Sequence, residues 1–277
     1  MLGGLPGMGA GASAIEATEN ADRFYTVVKS LNNFDRVEIK GVIDTLLSKN
    51  DEENCFVGTY YRAWGQIETV LELKNSRHFQ AAAMLARSLF ELAVDIRLLE
   101  EIPNAWIKMI GFVDDEYLRC CRKMVAFKDA HPSAAIDTTT QKVFIAKNEK
   151  RVDALRKSIW PGPRRVQHWS GLRLSERVRR LKSPFDQIYE VEYPTLSWYV
   201  HSGMTGVINL RHETFIYLCS SAFKLVADSY WEVLQTIIRK FKIARANEKI
   251  ELKMKVAKLL PFTDNDEQVD ILTRSIQ

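Results

Sequence analysis

Residues 81–99 read AAAMLARSLFELAVDIRLL, and this stretch decides the fold. Its apolar residues recur at spacings of three and four and leave little of the helix surface polar, which is the pattern of a helix enclosed by others. Three charges interrupt it at intervals of four, Arg87, Glu91 and Asp95. Residues so spaced share one helix face. Burying charge is costly unless it is paired, so the stripe is either an internal polar network or the wall of a site. A pair of Arg87 with Glu91 is the simplest arrangement, with Asp95 bridging onward to Arg97 or to Tyr or Trp donors elsewhere. In a site, the arginine would clamp a phosphate or carboxylate while Glu91 fixes its plane.

Outward from this helix the same period repeats. Helices are expected over Ala14–Leu31, Asp35–Leu47, Asp51 (as cap) to about Lys74, Arg77–Glu101 and Pro103 to Phe127. After a loop at His131–Thr140 the pattern resumes over Gln141–Ile159 and breaks at Trp160-Pro-Gly-Pro. Short elements follow over Arg164–Leu174, Ser175–Lys182 and Phe185–Tyr189, then a helix from Thr195 to about Asn209. A long one over Glu213–Ala246 and a weaker one over Glu248–Leu260 complete the set. Alternation of period two and Asn-Gly or Asp-Gly hairpin signals are missing, so the fold class is all-α, a multi-helix bundle. The expected organisation is a Gly/Ala-rich leader at 1–13, a helical domain at 14–260 and a polar tail at 261–277.

Composition narrows the function classes. The 277 residues are 46% hydrophobic and 27% charged, ordinary for a soluble globular chain. No window offers the roughly 18 uninterrupted apolar residues of a membrane span. The start, MLGGLPGMGAGASA, lacks the basic and apolar regions of a secretory signal, so a cytoplasmic protein is expected. Cys55, Cys120, Cys121 and Cys219 form no Cys-x-x-Cys pair and read as buried free thiols, and the five histidines show no metal-binding spacing. Neither a metal nor a cofactor is expected. Net charge is +4, yet residues 142–182 carry 13 Lys/Arg against three acids, leaving −6 on the rest. A block of that kind attracts phosphate backbones, or simply forms a solvated face.

A second stripe, Tyr193, Ser197 and His201, again four apart, lies within YPTLSWYVHSG. His201 is embedded among aromatic and apolar residues, and glycines at 203 and 206 thin the helix beyond it. Near Arg87, its imidazole would serve as acid or base toward a ribose hydroxyl or a leaving oxygen, with Ser197 and Tyr193 fixing its tautomer. The alternative is a core histidine with satisfied bonds. A third cluster follows the Trp-Pro-Gly-Pro break and comprises Arg164, Arg165, His168, Trp169, Arg173 and Arg177. Arginines for phosphates and an indole for stacking suit single-stranded RNA. Trp169 reads equally as a plug closing one end of the bundle.

The strings AAAMLARSLFELAVDIRLL, HWSGLRLSERV and YEVEYPTLSWYVHSG, in this order, resemble a bacterial domain family of unknown function over about residues 57–210. Its members carry an Arg-x-x-x-Glu helix, a Trp-containing loop and a Tyr-x-x-x-Ser-x-x-x-His helix. The paired polar helices are in turn similar to the broader HEPN superfamily, often dimeric bundles that include metal-independent ribonucleases of toxin and phage-defence systems. That resemblance implies an RNA-binding effector of stress or phage defence. Its catalytic extension is metal-independent cleavage to a 2′,3′-cyclic phosphate, with His201 as acid–base, Arg87 stabilising the phosphorane and Glu91 orienting Arg87. The chain departs from the superfamily by assembling Arg and His across helices rather than on one. The implied partners are RNA, a second copy of the chain and an operon-encoded protein. The competing expectation is a non-enzymatic sensor or partner-binding module in which both stripes fix helix register; a small-molecule enzyme for an anionic substrate is a third.

Overall fold

The computed structural model describes residues 14–46, 50–74, 78–162, 166–200 and 212–243. It is an all-α bundle, with no strand among the described residues. Helix α1 (Ala14–Phe34) does not stop where its asparagines suggest. It runs through one π-helical stretch (Asp35–Lys40) into α2 (Gly41–Thr45), with helical dihedrals at both junctions. The break expected between Leu31 and Asp35 is absent because the wider turn absorbs Asp35 and points it inward, where it is fully buried.

Asn50, rather than Asp51, caps α3 (Asp51–Glu72). Its side-chain oxygen accepts from the Glu53 N–H at 2.8 Å, and Asp51 to Glu53 occupy the first turn, where acids suit the helix dipole. Next comes α4 (Phe79–Glu101), the centre of the bundle. Ala82, Ala83, Ala86, Leu89, Phe90, Ala93, Val94, Ile96 and Leu98 are all fully buried, which explains why no single polar face shows in its sequence. The long helix α10 (His212–Phe241) lies along α4 and is also flanked by α1. Arg239 on α10 and Arg97 on α4 both bond Glu100, tying the two ends together.

From this core a hairpin extends, α5 (Ala105–Ala130) against α6 (Thr139–Ile159). The two helices come close at Gly111, where a Cβ would stand 2.7 Å from the Ile159 side chain. Ion pairs Arg151–Asp114, Arg156–Asp115 and Arg122 with Glu149 and Asp153 stitch its flanks. Three short helices return the chain to α4: α7 (Leu174–Leu181), α8 (Phe185–Val191) and α9 (Tyr193–Val200). The thiols of Cys55, Cys121 and Cys219 are buried, whereas Cys120 is exposed, contrary to the expectation that all four lie inside. No described helix is long and apolar enough to cross a membrane. The leader, the 248–260 helix and the tail lie outside the described residues.

Candidate functional site

All three charges of the α4 stripe are half-buried and face the short helices that return after the hairpin. They belong to two networks, one turn apart.

The first joins α4 to α9. Tyr193 opens α9 with its ring packed against Phe90 and stacked on Tyr189. Its hydroxyl accepts from Arg87 Nη2 at 2.9 Å and donates to Glu91 Oε1 at 2.8 Å. The expected Arg87–Glu91 pair is therefore mediated by a phenol, and among the described residues no carboxylate lies within ion-pair distance of Arg87. The guanidinium carbon also sits 4.8 Å from the Tyr193 ring centroid, a cation–π contact. Arg87 Nε is buried with no described partner. Burial, with Glu91 adding to it, raises the Tyr193 phenol above its ordinary pKa, which keeps its proton in place for Glu91. Ser197 donates to the Tyr193 carbonyl one turn back at 2.7 Å, so it reaches outward only as an acceptor. His201, eight residues after Tyr193 in the sequence, lies outside the described residues, as do Arg164 and Arg165.

The second network is centred on a carboxylate, although Arg177 Nε, like Arg87 Nε, is buried with no described partner. Asp95 accepts from Arg177 Nη1 on α7 at 2.7 Å and stands 3.0 Å from His168 Nε2, in the loop before α7. The Ser170 N–H can only donate, and it meets His168 Nδ1 at 3.2 Å; the Ser170 hydroxyl lies 2.9 Å from the same nitrogen. Nδ1 is then the acceptor and Nε2–H donates to Asp95. Arg177 Nη1, 3.0 Å from Nε2, is a second donor converging on that carboxylate rather than a bond to the ring. Leu172 N–H on Ser170 Oγ completes the turn.

Two members of the expected RNA-binding cluster are thus placed differently. Trp169 is 3% exposed and packs in the core, so its face is not offered for stacking; Arg177 is 5% exposed and neutralised by Asp95, so it is not a phosphate contact. His168 is held by Asp95 and Ser170 and acts as a strut of the loop. Arg173 is exposed, as are Arg179 and Arg180 on the outer side of α7. Sequence periodicity held the clue to Arg177. It falls beside Val178 on the side of α7 that carries Leu174 and Leu181, the buried phase of that helix. Nothing in the sequence pointed to Ser170. Among the described residues, no group of three or more His, Cys, Asp or Glu is placed to hold a metal ion.

The family described as "Family of unknown function (DUF5677)" matches residues 53–215, more than half of the chain, and the chain belongs to it. That span includes both networks. No curated protein and no solved structure matches the chain.

Proposed function

We propose that this family member is an HEPN-like bundle that binds RNA, with Arg87 as the phosphate-binding centre, and that it cleaves RNA without a metal as an effector of stress or phage defence. The contrast between the two networks carries the reading. Arg177 meets a carboxylate directly; Arg87 is steered by a phenol and a π face and meets none among the described residues. A half-buried guanidinium without a direct counter-charge pays a desolvation cost that an external anion relieves. Phosphate suits it, since a guanidinium presents paired donors to two oxygens at once. Exposed cations on α7, which packs against α4, supply secondary contacts to the RNA backbone.

In the cleavage step the ribose 2′-oxygen attacks phosphorus and loses its proton to a base, and the 5′-oxygen leaves with a proton from an acid. His201 takes the acid–base role, Arg87 stabilises charge on the phosphorane, and Glu91 with Tyr193 keeps the guanidinium in place.

The test is single-stranded RNA titrated into wild type, Arg87→Ala and His201→Ala in EDTA, reading anisotropy and fragment ends. Wild type should bind and release 2′,3′-cyclic phosphate ends. Arg87→Ala should lose most of the affinity, and His201→Ala should bind without cutting. RNA that wild type neither binds nor cuts removes this reading. The Asp95–His168–Arg177 network and the buried Trp169 favour a second one, a non-enzymatic module whose polar stripes fix helix register. Binding without cleavage by wild type would select it.

A further inference from the structure

Along α5 the exposed residues Val113, Tyr117, Cys120, Met124 and Phe127 recur at spacings of four, three, four and three. That is the heptad seam of a helix that packs against another helix. It is not the face that builds the hairpin. Gly111 and Leu118, on the opposite side, are buried. Phe144 of α6 widens the seam by an edge-on contact with Tyr117, ring centroids 4.5 Å apart. Val113 is 60% exposed and Phe127 49%, so an apolar row roughly 20 Å long, at 1.5 Å per residue, faces solvent in the single chain.

We propose that this seam is where two copies of the chain meet, with their α5 helices antiparallel about a two-fold axis at Cys120. The order of residues selects that occupant. Val113 and Phe127 each lie seven residues from Cys120, and Tyr117 and Met124 lie three and four away on opposite sides. Turned end over end, the seam therefore lays apolar residues on apolar residues. Along one margin of it run Glu116 and Lys123, four residues before and three after Cys120. An antiparallel pairing sets Glu116 of each copy beside Lys123 of the other, twice by symmetry. A parallel pairing, whose two-fold runs along the seam, sets each margin against the opposite one and so does not bring Glu116 of one copy to Lys123 of the other. In the single chain Glu116 accepts from Arg119 on its own helix, and Lys123 is exposed. The seam is independent of the RNA reading, since none of its residues belongs to either network of the candidate site.

The experiment is sedimentation equilibrium of the full chain over a wide concentration range, with charge-reversal variants. Wild type should show a concentration-dependent monomer–dimer equilibrium. Lys123→Glu and Glu116→Lys should each raise the dimer dissociation constant roughly tenfold, because two pairs turn repulsive in each case. The double variant Glu116→Lys/Lys123→Glu should bring it back. A short bis-maleimide should join two wild-type chains through Cys120, and Cys120→Ser should abolish the product. All these positions are at the surface, and equal thermal melts at low concentration will show that the variants fold. A monomer at every concentration, or a dimer indifferent to both reversals and not joined through Cys120, overturns the proposal.

Discussion

Asp35 occupies the first position of the π-helical stretch, is fully buried, and accepts from Tyr60 Oη at 2.8 Å and from Tyr230 Oη. Desolvation raises its pKa from 3.8 to about 6 even though both phenols favour the charged form. The sign of the consequence follows from proton uptake. Between those two values the folded protein holds a proton that the unfolded chain has released. The stability this carboxyl contributes is therefore complete below 3.8 and is lost as pH rises through about 6. The gap corresponds to about 3 kcal/mol. In Asp35→Asn that dependence is gone, so the stability difference between wild type and variant should shrink by about that amount as pH climbs through the interval. Chemical denaturation at several pH values measures it. A difference that stays constant would mean that Asp35 titrates as it does in the unfolded chain.

At the scale of elements, the α5–α6 hairpin leaves the core as it extends. The start of α5 packs on the core through Ala105, Trp106, Met109 and Ile110, whereas α6 packs on α5, and Val152 is the one buried residue of α6. Val152→Ala removes two methyl groups' worth of burial, about 2 kcal/mol with the cavity included. The loss should be local. Amide exchange should quicken through α6 and the outer half of α5, while α4 and α10 keep their protection. Uniformly faster exchange would show that hairpin and core unfold as one. The helices of this hairpin were legible from sequence because their apolar period is unbroken for several turns, and the same holds for α3, α4 and α10. The junction at Asp35 was not. Adjacent asparagines and an aspartate read as a break, and only the distant Tyr60 and Tyr230, 25 and 195 residues away, make burial of that carboxyl tolerable. The candidate site divides in the same manner. Spacing within α4 gave the shared face of Arg87, Glu91 and Asp95. The phenol between Arg87 and Glu91 comes from a residue 106 positions after Arg87, and Asp95 meets His168 across 73. Local spacing carries no record of such partners.

Across the whole molecule, charge is distributed by the fold as much as by the sequence. The block at 142–182 carries a net +10, but Lys142, Arg151 and Arg156 pair with acids of α5 and Arg177 pairs with Asp95. A compensated cation adds little to the attraction of a polyanion, so the block is weaker toward RNA than its composition suggests. What remains on α7 is Arg173, Arg179 and Arg180, exposed beside the helix that carries Arg87. If these three contact phosphates, replacing all of them with alanine should weaken single-stranded RNA binding without changing sequence preference. The slope of log affinity against log salt should fall by roughly 2, from about 0.7 per phosphate contact. A parallel substitution of Lys142 and Arg151, which already bridge the hairpin, should leave that slope nearly unchanged. Equal slopes for wild type and the α7 variant would mean that RNA, if bound, lies on another face; a larger change from the hairpin pair than from α7 would locate it on α6.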